Sequence, residues 1–594
     1  MMEKLLFEIG TEEIPAKFMP GILTQLKDLA ERKLTELRIP FDEVKVFGTP
    51  RRMAFTASSI PEVQDDITIE AKGPSVKIAF VDNEPSKAAI GFARGNGVDV
   101  KDLVIRDDYV YAVKRLTGQH VEGLLPEMLL DIIISLNFPK TMRWADHDFR
   151  FVRPIRWLVA LLGDRVIPVE MTGVKSGKFS RGHRFLAGSL KEAEGAKGFL
   201  SMAARKAKNS VASAVISVKG AVEIPNADDY EKILREHFVL VDQDERREII
   251  RRQVTDLAEA EGGHAEIDED LLEEVNYLVE WPTALCGKFE EKFLGLPKEC
   301  IITPMREHQR YFPVLNSDGT LMNKFITVRN GGLEDIDIVT HGNERVLRAR
   351  LSDAEFFFNA DRKLKLEDRL EKLKTISFQE GFGSMYDKTQ RLVKLSDIIY
   401  FAMNAKADKE KLARTALLSK TDLVTGMVVE FTELQGVMGR EYAKLDGESE
   451  EVAKGIYEHY LPRFAGDELP ETEIGRIVGI ADKLDNIVAI FSRGLAPTGS
   501  QDPYALRRQA LGIINIVIDA GYHVALLKLL GGMIYLLNIG PDKAGELILQ
   551  VLDFIRQRLR NMVIDQDNFF LIIFEVYEHA LPPLQTAAQI FRMP

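Results

Sequence analysis

From about residue 335 to the carboxy end, apolar residues recur almost everywhere at helical spacing, and before that point they do not. The late periodicity predicts helices over 335–371, 387–404, 408–433, 448–461, 471–492, 503–520, 523–537, 541–561 and 567–580. Pro462, Pro470, Pro497, Gly499 and Pro541 punctuate them. The earlier chain alternates. Lys4–Gly10 reads as a short apolar strand and Pro20–Leu37 as a helix with Ile22, Leu26, Leu29, Leu34 and Leu37 at helical spacing. Val44–Phe47 and Met53–Ser58 read as strands around the turn GTPRR. Tyr109–Val113 reads as a strand and Gly123–Leu136 as a helix. WLVALLGDRVIPVE, two apolar runs about a Gly-Asp turn, reads as a hairpin. Residues 190–275 read as mainly helical and highly charged, and Phe289–Val328 as mixed. The expected fold is α+β or mixed α/β in the first half and all-helical in the second.

Composition bounds what such a chain does. Its 594 residues are 45 % hydrophobic and 28 % charged, which supplies several cores and excludes a disordered chain. Domains of about 100–200 residues would number roughly three to five. Two cysteines, Cys286 and Cys300, are too few for a disulfide framework or a four-cysteine zinc site, and they suit a reducing compartment. Glu8, Glu12 and Glu13 interrupt the start where a secretory signal needs an apolar core. Val524–Ile539 is broken by Lys528 and too short to span a bilayer. The expectation is a soluble cytoplasmic protein with no membrane contact. The net charge of −13 argues against indiscriminate nucleic-acid binding but leaves room for a local basic face.

One such face is written into residues 137–186. Ten Lys or Arg stand there against four Asp or Glu, a net of +6, in the strings KTMRW, RFVRPIRW and SRGHRF. Trp144 and Trp157 lie inside this stretch. Basic side chains interleaved with aromatics suit a polyanion that also carries stackable bases, as RNA does. A hairpin with a basic solvent face is the plainer reading. Further clusters are Arg51–Arg52, MREHQRYF with Arg306 and Arg310, ERVLRAR with Arg345, Arg348 and Arg350, and Arg507–Arg508. Arg345 and Arg348 are three apart and share a helix face.

Motifs for other chemistry are missing. There is no GxxxxGK[ST], HExxH, CxxC or GxSxG. GFARGNG at 91–97 and GFGSMYDK at 381–388 read as turns, not phosphate cradles. MREHQRYFPV superficially resembles an Arg-x-Glu ATP-binding element but has no partner motifs. Glu458-His459, then PRFAGDELP, then a helix with Ala481-Asp482, resembles the back half of an HD-type metal phosphohydrolase. In those enzymes a His-Asp doublet and further His and Asp ligands bind metal and activate water. The place of the doublet is taken here by Thr421-Asp422, and 347–458 contains no histidine. With Asp422, His459 and Asp482 alone, such a site is under-ligated. The region reads as an HD-like fold without hydrolytic chemistry and without bound metal.

Several unusual strings then occur in order: LLFEIGTEEIPAKFMP, FGTPRRMAF, KTMRW, FVRPIRWLVAL, RGHRF, TPMREHQRYFPV, VRNGG, GNERVLRARLSDAEFFF, EFTELQGVMGREYA, PRFAGDELP, IADKLDNI and DPYALRRQALGII. Together they closely resemble the β subunit of bacterial heterotetrameric glycyl-tRNA synthetase, from the first residues to about residue 560. The resemblance implies a segment 1–65 of α/β type, a mixed region 66–335 including a B3/B4-like synthetase module, an HD-like helical domain 336–510, and a region 511–594 leading into an anticodon-binding domain. Members of that family continue well beyond LPPLQTAAQIFRMP, so the chain is expected to be shortened there, which favours acceptor-arm or core contacts over full anticodon recognition.

The implied function is tRNA handling for glycine–tRNA ligase. The α subunit would hold the active site, with its glycine, ATP and Mg2+, and this chain would bind no cofactor and be inactive alone. The implied partners are the α subunit and tRNA(Gly), in an α2β2 assembly. Candidate tRNA-phosphate ligands are Arg51, Arg52, Arg143, Arg153, Arg156, Arg181, Arg184, Arg306, Arg310, Arg345, Arg348, Arg507 and Arg508. For each, an internal salt bridge is the alternative. The other functional classes are an HD-type metal-dependent phosphohydrolase and a stand-alone RNA-binding scaffold.

Overall fold

The computed structural model describes residues 2–81, 84–187, 220–499, 501–522 and 524–565. The architecture is mixed α+β. The chain divides into two compact units, Met1–Lys288 with Arg310–Asn343, and Phe289–Gln309 with Glu344 onward. Among the described residues every named strand precedes Gly331 and belongs to the first unit.

The first unit is built on a seven-stranded sheet. Glu170–Met171, Val174–Gly177, Ile155–Leu162, Met2–Thr11, Arg52–Pro61 and Val44–Thr49 lie side by side in that order, and Arg165–Val166 pairs with Ile155–Leu162. The last contact is the expected hairpin about Gly163-Asp164. Side chains alternate across the sheet. Leu5, Phe7 and Ile9 join the core under the helices Met19–Glu36 and Val121–Ser135. Leu6 faces the other way, into a second core with Phe47, Trp157, Tyr230 and Leu234. Burial on both faces explains why LLFEIG is a continuous apolar run. It also means that Glu8 is carried into the second core.

A four-stranded sheet, in the order His264–Ala265, Phe312–Leu315, Leu321–Asn330 and Pro282–Lys288, packs against Gln243–Ala260 and Glu269–Asn276. A smaller sheet of Ile67–Ser75, Tyr109–Leu116 and Leu103–Arg106 carries the helix Lys87–Asn96. That helix corrects the reading of GFARGNG as a turn. Residues 91–96 are helical, and Gly97 ends the helix with φ of 66°, a left-handed position suited to glycine.

The second unit is helical and centres on Glu473–Ser492, in which sixteen of twenty residues are buried. A helix buried all round belongs in the middle of a bundle. Two expected helices are broken. The 408–433 helix ends at Leu418 and gives way to short turns over Thr421–Val424, Gly426–Glu430 and Thr432–Leu434. Ser419 and Thr421 hydroxyls donate to the carbonyls of Ala416 and Leu418, and Thr425 caps Val428, so the SKTDLVT run bonds its own backbone in place of the helix. The 335–371 helix stops at Asp361, whose carboxylate accepts from the Gly426 and Met427 amides. An unexpected helix, Val437–Asp446, lies between Gly436 and Gly447, both at positive φ.

Phe289–Val328 is mixed as expected: the strands Phe312–Leu315 and Leu321–Asn330 lie in the first unit, and Phe289–Gln309 is helical and belongs to the second. Phe293 and Cys300 are buried there, and the Cys300 thiol lies 3.3 Å from the Met438 sulfur. The expected helix 567–580, and the 190–219 part of the charged helical stretch, lie outside the described residues.

Candidate nucleic-acid interface

The motifs GTPRR, RPIRW and SRGHRF meet at one end of the large sheet, and beneath them lies a dry ion network. Arg52, with no exposed surface, donates to the Ser180 hydroxyl at 3.1 Å, the Arg181 carbonyl at 2.7 Å and Glu280 at 3.0 Å. It lies 3.6 Å from the Glu8 carboxylate. Arg51 donates to Glu280 at 2.7 Å and to the Gly182 carbonyl at 2.9 Å. Thr49 gives Glu280 a third donor at 2.9 Å. Burial alone would push the Glu280 carboxyl up. The facing charges of Arg52 and Arg51 overcome that and hold it at about 2. Glu8 accepts from the Ser180 hydroxyl at 2.6 Å, the Tyr230 hydroxyl at 2.5 Å and the Trp157 indole N–H.

For Arg51 and Arg52 the structure shows the alternative reading, an internal salt bridge. The Arg51 and Arg52 guanidiniums donate to buried carboxylates and carbonyls, Arg52 with no exposed surface and Arg51 with little. Trp157 is likewise no stacking platform. Its ring is buried, with the Arg52 and Arg181 guanidinium carbons 5.6 and 5.8 Å from the ring centre.

Above the network sits an exposed rim. Arg156 donates to Glu12 at 2.6 Å, and Arg184 reaches Glu12 at 3.3 Å and Glu13 at 3.2 Å. Arg153 donates to the Glu13 and Val152 carbonyls at 3.0 and 2.9 Å. Arg181 is half-buried, and burial together with the charges of Arg51 and Arg156 pushes its pKa below the usual arginine value. The Phe185 ring is 73 % exposed beside them. Four arginines thus stand at the rim beside two carboxylates, and Arg156 and Arg184 are the ones that pair with them. Half-exposed arginines crowded by like charge suit an anionic partner.

The remaining candidates do not join this rim. Arg143 is exposed, 3.6 Å from Asp148. Arg310 is engaged by Glu274 through two nitrogens, at 3.0 and 2.8 Å. In the helical unit, Arg306 is half-buried in the turn Pro304–Gln309, Arg348 pairs with Glu290 at 3.0 Å, and Arg345 is exposed on the same helix as Arg348. Arg507 donates to the Gly499 carbonyl at 2.5 Å and Arg508 to the Arg463 carbonyl at 3.2 Å. The sequence reading missed Glu8, Glu12, Glu13 and Glu280 as partners. Glu8, a carboxylate inside an apolar strand, was the one visible signal.

Asp422, His459 and Asp482 are all buried in the helical unit. Asp482 is bound by ammonium groups, with its Oδ1 and Oδ2 each 3.0 Å from Lys388 and Lys420 respectively. Burial opposes the Asp482 charge, but those two lysines hold its carboxyl well below the usual range. Lys388 also donates to Asp485 and Asn486, each at 2.9 Å, and Arg391 donates to Asp485 at 2.8 and 3.2 Å. Lys483 donates to the His459 and Leu461 carbonyls at 3.2 and 2.6 Å. Among the described residues no three His, Cys, Asp or Glu side chains are grouped to hold a metal. With lysines on both oxygens of Asp482, the hydrolase reading has no support.

Comparison with known proteins agrees with the ordered strings. The family model for the glycyl-tRNA synthetase beta subunit matches residues 5–210 and 199–573. The glycine–tRNA ligase beta subunit of Desulforamulus reducens is 45 % identical over 575 residues, 95 % of this chain and 78 % of that protein. That of Moorella thermoacetica is 45 % identical over 573 residues, 95 % and 78 % of the two chains. That of Halothermothrix orenii is 46 % identical over 578 residues, 97 % and 79 %. A match of this extent, over both units and through the rim, makes the chain a member of the glycyl-tRNA synthetase beta subunit family.

Proposed function

We propose that this chain is the non-catalytic, tRNA-binding β subunit of glycine–tRNA ligase. It works with an α subunit that activates glycine with ATP and Mg2+, in an α2β2 assembly in the cytoplasm. The observation that carries the tRNA-binding role is the rim of Arg153, Arg156, Arg181 and Arg184 beside exposed Phe185, a local positive surface in an acidic chain. Guanidiniums position a phosphate backbone, and an exposed ring adds a face on which an unpaired base can stack. In this reading the mixed region 66–335 includes a B3/B4-like module, and 336–510 is an HD-like domain kept as architecture. Among the described residues no helix is long and apolar enough to cross a membrane, in keeping with a cytoplasmic role.

The test is glycylation of tRNA(Gly) by this chain with and without the matching α subunit, given ATP and glycine. Activity is expected only in the mixture. Activity of the chain alone, or tRNA binding no tighter than that of a neutral protein, would overturn the proposal.

A further inference from the structure

We infer that the Lys420 ammonium is a built-in cation standing in for the metal ion of an HD-type centre, serving the acceptors of Asp422, His459 and Asp482. The inference rests on the HD-like reading for what the site would otherwise hold. The geometry supplies the rest.

All three residues are buried, and each presents an acceptor atom. The His459 Nδ1 lies 2.6 Å from the Ile456 carbonyl, which can only accept, so the proton is on Nδ1 and Nε2 carries a lone pair. That Nε2 has no hydrogen-bond partner, and neither has Asp422 Oδ1, whose sister oxygen takes the Gly436 amide at 2.6 Å. Buried acceptors of this kind call for a positive neighbour. Lys420 is that neighbour. Its ammonium donates to Asp482 at 3.0 Å and lies 4.0 Å from the Tyr460 ring centre, where the π face supports a cation. Burial pushes the Asp422 carboxyl up to about 6 and the Lys420 charge opposes that rise, while at His459 burial and the Lys420 charge together lower the proton affinity.

A divalent ion does not fit this surrounding. Lys388, Arg391, Lys420 and Lys483 already outnumber Asp422, Asp482 and Asp485. Two further positive charges would be left uncompensated in a dry interior, where such a charge is costly. The ammonium instead ties the turn after Lys409–Leu418 to the central helix Glu473–Ser492 with one charge and no exchangeable ligand. The centre is thereby fixed as structure, and water activation is lost with the metal.

The experiment uses the full chain. Wild type is exposed to Mn2+ or Co2+, dialysed, and assayed for bound metal and for its melting temperature with and without EDTA. Lys420→Ala is melted with methylammonium, and with tetramethylammonium as a control too large for the vacated space. No stoichiometric metal in wild type is expected, and no response to EDTA. Methylammonium should raise the Tm of Lys420→Ala by about 2 °C or more over the control. One equivalent of tightly held metal in wild type would overturn the inference. So would a folded Lys420→Ala that ignores methylammonium. If Lys420→Ala does not fold, Lys420→Arg against Lys420→Met reads the same question, and equal stability of those two variants overturns it.

Discussion

Glu280 shows what a buried charge does when its partners are complete. It takes Thr49, Arg51 and Arg52 at 2.7 to 3.0 Å with almost no exposed surface. Glu280→Gln keeps the shape and removes the charge, leaving two guanidiniums uncompensated. Breaking a buried pair from one side costs about 3–5 kcal/mol, so chemical denaturation should show a loss in that range. The same group sets an acid limb. Its carboxyl falls from the ordinary 4.5 to about 2 in the folded chain. A depressed acid stabilises the fold above its unfolded pKa, and that contribution is lost as pH falls from about 4.5 toward 2. It is worth about 3 kcal/mol. Wild type should therefore lose stability across that window more steeply than Glu280→Gln, and parallel curves would exclude Glu280 as the source. Arg156 differs in kind. Its pair with Glu12 is half in solvent, and such pairs contribute about 0–1 kcal/mol. Arg156→Ala should leave the denaturation midpoint nearly unchanged.

Among the elements, the Met2–Thr11 and Ile155–Leu162 strands depend on one glycine. Gly10 pairs with Trp157 across the ladder, and a Cβ at Gly10 would lie 1.9 Å from the indole. The ring lies flat over the glycine, and there its N–H reaches Glu8. Gly10→Ala must push the indole away, which breaks the Glu8 contact and overpacks the layer. About 1–3 kcal/mol of destabilisation is expected, with a shifted Trp emission spectrum. An unshifted spectrum in a fully stable variant would show that the ring is not held there. Here the sequence was half legible. A continuous apolar run located the Met2–Thr11 strand, and helical spacing located the Met19–Glu36 helix and the central Glu473–Ser492 helix, because burial of one or both faces writes itself into the apolar pattern. It did not reveal that Ser419, Thr421 and Thr425 would bond their own backbone and end a helix. Nor did it reveal that Phe289–Gln309 would leave the sheets for the helical unit. The second outcome rests on pairings such as Cys300 with Met438, far apart in sequence. For Arg51 and Arg52 the choice between phosphate ligand and internal salt bridge was not legible for the same reason: composition records a charge but not the distant Glu280 that meets it.

At the scale of the whole molecule, the net charge of −13 repels a polyanion at long range, so any attraction must act within about 10 Å of a local positive surface. The rim is such a surface, and Glu12 sets its strength, because Arg156 and Arg184 both spend donors on that carboxylate. Two variants of opposite sign follow. Arg156→Ala with Arg181→Ala and Arg184→Ala removes three guanidiniums of the proposed interface and, on that proposal, should flatten the salt dependence of tRNA affinity by about three units, one for each lost contact. Glu12→Gln frees Arg156 and Arg184 and should tighten binding at low salt while leaving glycylation chemistry in the α subunit untouched. Because the carboxylate and an RNA phosphate compete for the same guanidiniums, the gain should vanish as salt rises. Titration of labelled tRNA(Gly) across a salt series reads both variants. A slope unchanged in the triple variant, or an affinity lowered by Glu12→Gln, would move the interface away from this end of the sheet and toward the exposed arginines of the helical unit, beginning with Arg345.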